Sequence, residues 1–137
     1  MRFIDTTVFI YAVLKPRRDL NEQEQQLKSA AKEIFKRVNE GEEVIATVVH
    51  LSEVANILED AANLSFAISF LKDLLVKRNV RVEKVTDKDY MESAILAEEK
   101  RVSINDALAY LVMRRLDVEE IYTFDKHFGK LDVCVVR

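Results

Sequence analysis

The 137-residue sequence contains one cysteine, one proline, two glycines and no tryptophan. A single cysteine excludes an internal disulfide framework and is compatible with a reducing cytoplasm. Cys134 lies in the strand-like run D-V-C-V-V and is predicted to be a buried core residue. Because glycine and proline are so scarce, there is little room for long loops or linkers. The length and composition therefore predict one domain over residues 1–137.

Long apolar runs are also missing, since none approaches the roughly 18–20 residues that span a bilayer. The N-terminus carries Arg2 and Asp5 without a small-residue cleavage site, which does not fit a signal peptide. We therefore expect a cytoplasmic protein with no membrane partner. The net charge of −3 argues against a general binder of polyanions, although acids that hold a metal would themselves skew this balance.

Short apolar runs alternate with amphipathic stretches along the whole chain. Strands are predicted at 2–4, 43–47, 80–85, 120–124 and 133–136, and helices at 6–14, 22–40, 48–61, 64–77, 87–101 and 104–116. The predicted helix caps are Thr6, Thr47, Asn63 and Ser103, and Gly41 is predicted to end the second helix. Short apolar strands separated by helices indicate an α/β fold, with a parallel sheet covered on both faces.

Asp5 is the most informative residue, because it lies between the strand at 2–4 and the apolar segment 8–14. A carboxylate in such surroundings is at least partly desolvated, and burying an unpaired charge is expensive. Hydrogen-bond donors, a positive partner or a metal ion must compensate for it.

Four acids are predicted to lie at the carboxyl edge of the sheet, where open parallel sheets bind ligands. Asp5 and Asp125 directly follow the first and fourth strands. Glu53 lies in the second turn of the helix after the second strand, and Asp106 in the first turn of the helix before the fourth. If the first and fourth strands are adjacent, these carboxylates share one cleft. Crowded carboxylates raise one another's pKa unless a cation lies among them, and Mg²⁺ and Mn²⁺ prefer oxygen ligands.

Each of these acids also has an ordinary structural explanation. Asp106 completes the capping pattern S-x-x-D with Ser103 and suits the helix dipole. Glu53 borders the apolar stripe of its helix, and Asp125 could cap the turn that follows it. Asp5 is the hardest to explain in this way.

Four segments together carry a family resemblance: D-T-T-V from residue 5, S-E-V from 52, I-N-D-A-L-A from 104 and T-F-D-K-H-F from 123. In order and spacing they resemble the PIN-domain family of metal-dependent ribonucleases, most closely its small toxin members of the VapC type. The resemblance implies a three-layer α/β/α fold with a five-stranded, mostly parallel sheet in strand order 3-2-1-4-5. It also implies a catalytic, metal-binding set with three supporting residues: Asp5, Glu53, Asp106 and Asp125, supported by Thr6, Asn105 and Thr123.

The function implied by the resemblance is a Mg²⁺- or Mn²⁺-dependent endoribonuclease that hydrolyses RNA phosphodiesters as the toxin of a toxin–antitoxin pair. The implied partners are an RNA substrate, a small antitoxin protein and a second copy in a homodimer. Two positions depart from the family pattern. Thr7 stands where many relatives have Asn, and His127 stands where many have a further Asp. We interpret His127 as an exposed loop residue, while Lys126, Arg114 and Arg115 are candidate cations for attracting RNA.

Three alternatives remain to be weighed. A non-catalytic PIN-like module that binds RNA or protein would be free to lose acids that this chain retains. A phosphoaccepting receiver domain needs paired acids after the first strand and an acceptor Asp after the third, which this sequence lacks. A phosphatase of the haloacid dehalogenase type needs a second Asp at the position of Thr7.

Overall fold

The computed structural model describes all residues, 1–137. The strands are β1 (Arg2–Ile4), β2 (Val44–Thr47), β3 (Val80–Glu83), β4 (Glu120–Tyr122) and β5 (Cys134–Val136). The helices are α1 (Thr6–Val13), α2 (Glu22–Asn39), α3 (Val48–Ala61), α4 (Leu64–Leu75), α5 (Asp87–Lys100) and α6 (Ile104–Arg115), and a 3₁₀ helix covers Lys126–Lys130. Every predicted element is present with ends within two residues of those predicted, and only the 3₁₀ helix was not predicted. None of the helices is both long and apolar enough to cross a membrane.

The five strands form one sheet in the order β3-β2-β1-β4-β5, and every neighbouring pair is parallel. This confirms the predicted order, with a sheet that is wholly rather than mostly parallel. Phe3 of β1 is in register with Ile45 on one side and Ile121 on the other. The chain builds outward from β1 in one direction and then returns to add β4 on the other side. The edge between β1 and β4 is therefore the switch point at which such sheets bind ligands.

The strands are buried on both faces because successive side chains point to opposite sides of the sheet. Phe3, Ile45 and Ile121 belong to one apolar cluster, which is completed mainly by residues of α6. Their neighbours Ile4 and Tyr122 belong to a second cluster with residues of α1 to α4. Packing against both faces of the sheet therefore holds the carboxyl ends of these short strands in place.

The prediction that Cys134 is a buried core residue is wrong, because its side chain is exposed. β5 pairs only with β4 and lies at the edge of the sheet. An apolar run on an edge strand is not enclosed as the same run would be on a central strand, and the sequence run alone does not distinguish the two.

Three of the four predicted caps are confirmed: the side chains of Thr47, Asn63 and Ser103 each accept a hydrogen bond from the backbone three residues later. The prediction for Thr6 is wrong, since Asp5 occupies the N-cap position of α1 and Thr6 is the first helical residue. Asp5 makes no side-chain capping bond to that helix. Its carboxylate is therefore left for other partners.

Gly41 ends α2 as predicted, with a φ of +111°. Its N–H donates to Val38 and the next N–H donates to Arg37, which is the pattern of a Schellman motif. A Cβ at this position would meet no atom within 4 Å, so only the backbone conformation opposes a side chain.

We expect Gly41→Ala to lower the free energy of unfolding by about 1–2 kcal/mol, because an L-residue is strained at positive φ. Urea unfolding followed by circular dichroism measures the change. Gly129→Ala is the matched control, since Gly129 also has open space around it and no positive φ. Equal stability of the two variants would contradict the assignment of strain to Gly41.

Candidate metal centre

Asp5 is held at the carboxyl end of β1, and its backbone N–H donates to the carbonyl of Tyr122 at 3.0 Å, which locks it beside β4. Its side chain is only 4% exposed. Two hydroxyl groups donate to its Oδ2, from Thr7 at 2.9 Å and from Thr123 at 2.7 Å. Both donors contact the same oxygen, so Oδ1 stays free to bind a cation.

Thr123 joins the ends of β1 and β4 through a single hydroxyl. Its Oγ1 donates to Asp5 and accepts the backbone N–H of Asp125 at 3.0 Å. Thr7 has a similar bridging role, since its Oγ1 also accepts the N–H of Phe124 at 3.1 Å. These two threonines fix the distance between the strand ends on which the acids are carried.

Asp106 lies in the first turn of α6, where its N–H donates to the Ser103 hydroxyl at 3.1 Å. The carboxylate of Asp106 does not accept the backbone N–H of Ser103, so only half of the predicted capping pattern forms. The residue is 7% exposed, and its Oδ2 is buried without any hydrogen-bond partner. Burial, with the nearby negative charges of Asp125 and Asp5, raises the pKa of Asp106 to about 7.

Burial also raises the pKa of Asp5, against the hydrogen bond from Thr123 and the proximity of His50, which lower it. Asp5, Asp106 and Asp125 therefore lie within electrostatic reach of one another. A buried carboxylate oxygen without a partner is costly unless something positive faces it. The donor set is oxygen-rich, and this combination fits a hard divalent cation such as Mg²⁺ or Mn²⁺.

Glu53 is connected to this group through Asn105, whose side-chain amide donates to Glu53 Oε2 at 2.8 Å. The Asn105 amide is oriented in turn by Tyr90, whose hydroxyl donates to its Oδ1 at 2.8 Å. Glu53 is half-buried, and the residue that hydrogen-bonds to its carboxylate, Asn105, directly precedes Asp106 in the chain. It lines a cleft of about 520 Å³ with six other residues of α3 and α6: Val48, Val49, Ser52, Asn56, Ile57 and Asn105.

His50 anchors the backbone of Asn105 from inside the protein. Its Nε2 lies 2.9 Å from the Asn105 carbonyl oxygen, which can only accept, so Nε2 carries the proton. Its Nδ1 then accepts from the Thr47 hydroxyl at 2.7 Å. Burial lowers the pKa of His50, against the charge of Asp5, in agreement with a neutral ring. Both ring nitrogens are used structurally, and neither is free for chemistry.

Several partners differ from the sequence-based expectations. The Thr6 hydroxyl donates to the His50 carbonyl at 3.4 Å and not to Asp5, which is bound by Thr7 instead. The role of Thr7 was missed, and its spacing of two residues from Asp5 was the available signal. His127 is exposed as expected, but its Nδ1 lies 2.9 Å from Asp125 Oδ1.

The two arginines named as candidate cations, Arg114 and Arg115, lie at the C-terminal end of α6, whereas Asp106 lies near its N-terminus. Arg114 contacts the Tyr110 hydroxyl at 3.1 Å, and Arg115 pairs with Asp89 at 2.8 Å. About 12 Å of helix separates Arg114 from Asp106. Lys126 is exposed and directly follows Asp125, so it remains the candidate closest to the acids.

Comparison with known proteins adds two findings. The family model described as PIN domain matches residues 2–133. The fold is similar to that of the Mycobacterium tuberculosis toxin VapC20, a sarcin-ricin loop cleaving toxin, with a TM-score of 0.76 and 21% sequence identity. That similarity covers 100% of this chain and 99% of the toxin. A search of curated protein sequences found no match.

Proposed function

Because this chain belongs to the PIN domain family, we propose that it is a metal-dependent endoribonuclease and the toxin of a toxin–antitoxin pair. The observation that carries the proposal is the buried Asp106 Oδ2 without a partner, close to Asp5 and Asp125. A structural carboxylate would be hydrogen-bonded at this depth. The proposed catalytic and metal-binding residues are Asp5, Glu53, Asp106 and Asp125, supported by Thr7, Asn105 and Thr123.

A divalent ion held by these carboxylates would lower the pKa of a bound water and stabilise the negative charge at the phosphoryl group. The protein residues supply the fixed geometry that this chemistry needs. Thr7 and Thr123 hold Asp5 through one oxygen, and Asn105 holds Glu53 through Oε2. The side chains are therefore oriented before substrate arrives, which reduces the reorganisation needed in the transition state. Mg²⁺ and Mn²⁺ are the proposed ions.

We propose RNA as the substrate, the cytoplasm as the location and a single domain over residues 1–137. A small antitoxin is the proposed inhibitor. Apolar Val48 and Ile57 line the cleft beside Glu53, so a partner segment that is both apolar and basic would suit it.

We also propose a homodimer, because Leu64, Ile68 and others on α4 are exposed. The molecular mass measured by light scattering at low concentration decides that point.

The test of the proposal is cleavage of a structured RNA by the purified chain. We expect cleavage with Mn²⁺ or Mg²⁺ and none in excess chelator. Glu53→Gln is expected to reduce the rate by at least about 10- to 100-fold, because it removes a negative charge that Asn105 positions at the cleft.

Glu59→Gln is the matched control, since Glu59 lies exposed on the same helix and should leave the rate unchanged. Cleavage that persists in chelator would contradict metal dependence. Equal rates for the two variants would remove Glu53 from the proposed site. If wild-type protein neither cleaves RNA nor binds Mn²⁺ at millimolar concentration, the non-catalytic module is the better description.

A further inference from the structure

His127 contacts the acidic group from its exposed side. Asp125 caps the 3₁₀ helix, and its Oδ1 accepts the backbone N–H of His127 at 2.9 Å. This local turn directs the imidazole back toward the carboxylate, so that Nδ1 also lies 2.9 Å from the same Oδ1. The spacing D-x-H therefore places a ring nitrogen beside Asp125 without help from distant residues.

A ring nitrogen of His127 also lies near Asp106. One potential ligand atom from each of Asp106, Asp125 and His127 lies within 4.8 Å of the other two. Adjacent ligands of an octahedral ion with bonds of about 2.1 Å are about 3.0 Å apart, and opposite ligands about 4.2 Å. The observed separation of 2.9 Å between His127 and Asp125 matches an adjacent pair.

A contact between His127 and Asp125 alone would leave the nearby Asp106 Oδ2 without a partner. The His127 ring lies 2.9 Å from Asp125, and Asp106 Oδ2, on a residue that is 7% exposed, has no hydrogen-bond partner. A cation shared by the three side chains would satisfy both carboxylates. The His127 side chain is 61% exposed, so an ion can reach it without any rearrangement of the core.

We propose that His127 is a ligand of the divalent ion through a ring nitrogen, and that this nitrogen makes the site prefer Mn²⁺ to Mg²⁺. The inference rests on the metal site of the proposed nuclease. Mg²⁺ strongly favours oxygen ligands, whereas imidazole suits first-row transition metals. A site built only of carboxylates would not show this preference to the same degree.

The experiment uses the full chain, freed of metal by chelation and loaded with Mn²⁺ as the probe. Pulsed electron paramagnetic resonance detects a nitrogen bound to Mn²⁺, and labelling histidine with ¹⁵N identifies its source. The chain has only two histidines, and both ring nitrogens of His50 are already hydrogen-bonded inside the protein. We expect coupling to one histidine nitrogen in the wild type and its loss in His127→Ala.

Calorimetry supplies the second measurement. Loss of residues that merely support metal ligands typically costs 10- to 100-fold in affinity, so loss of a ligand should weaken Mn²⁺ binding by at least about tenfold. His127→Ala should change Mg²⁺ affinity much less, and His127→Asp should shift the preference toward Mg²⁺. The variants are exposed substitutions, and thermal melts verify that they fold.

The outcomes separate the two proposals. Mn²⁺ that binds without histidine coupling, or coupling that persists in His127→Ala, overturns the role of His127 and leaves the nuclease proposal standing. A wild-type chain that binds no Mn²⁺ overturns both. Coupling lost in His127→Ala together with weaker Mn²⁺ binding supports the assignment.

Discussion

Asp5→Asn is expected to reduce RNA cleavage by roughly 10³-fold or more. A bound ion lowers the activation barrier of a metal-assisted step by several kcal/mol, and each 1.36 kcal/mol corresponds to a factor of ten in rate. Asp5 is the buried centre of the proposed site, and it reaches Thr7 and Thr123 through one oxygen. The amide oxygen of Asn can accept the same two hydroxyl groups. The variant therefore keeps the local hydrogen bonds and loses only the charge that the cation requires.

Single-turnover cleavage of RNA at saturating Mn²⁺ measures this loss, with circular dichroism to verify the fold. Asp60→Asn is the matched control, because Asp60 is an exposed acid on α3. This variant should cleave RNA at the wild-type rate. A rate for Asp5→Asn within tenfold of the wild type would remove Asp5 from the catalytic set.

The second large effect concerns the stability of the metal-free protein. The pKa of Asp106 is about 7 in the folded protein, against an ordinary value of 3.8. Between these two values the folded state holds a proton that the unfolded chain has lost. The contribution of Asp106 to stability is therefore complete below about pH 4 and is lost as the pH rises through about 7. At pH 8 the charged carboxylate opposes folding.

In chelator at pH 8, Asp106→Asn should be more stable than the wild type by on the order of 2 kcal/mol, because it removes that buried charge. The advantage should shrink as the pH falls to 4. Excess Mn²⁺ should reverse the order, since an ion at 100 times its dissociation constant stabilises the wild type by about 2.7 kcal/mol.

Denaturant unfolding across this pH range, with and without Mn²⁺, measures both effects. Asp132→Asn is the matched control for loss of one charge, because its side chain is 93% exposed and should show neither effect. A metal-free Asp106→Asn that is less stable than the wild type at pH 8 would show that the carboxylate is a structural group.

The parts of the fold that depend on local pattern could be predicted from the sequence. Consecutive apolar residues such as Phe3 and Ile4 indicate a strand buried on both faces, and the caps at Asn63 and Ser103 mark helix starts. The positions of acids after strands then follow from the geometry of parallel sheets. The strand order came from the family resemblance, and the structure confirms it.

Contacts between distant residues could not be predicted in the same way. The Thr7 hydroxyl accepts the N–H of Phe124, which is 117 residues away, and no sequence pattern encodes that meeting. The burial of His50 depends on the carbonyl of Asn105, 55 residues later. The exposure of Cys134 depends on which strand ends the sheet. His127 is different, because its turn onto Asp125 is local, and the spacing D-x-H could have indicated it.

The pairing of β1 with β4 also has a consequence during protein synthesis. Asp5 and Thr123 are 118 residues apart, so the two halves of the proposed site meet only after most of the chain has been made. Closing so long a loop is slow compared with forming the local helices. A nascent chain, or a fragment released before β4, therefore lacks the hydroxyl that fixes Asp5. In a cell, the proposed activity would therefore arise only after β4 has been made.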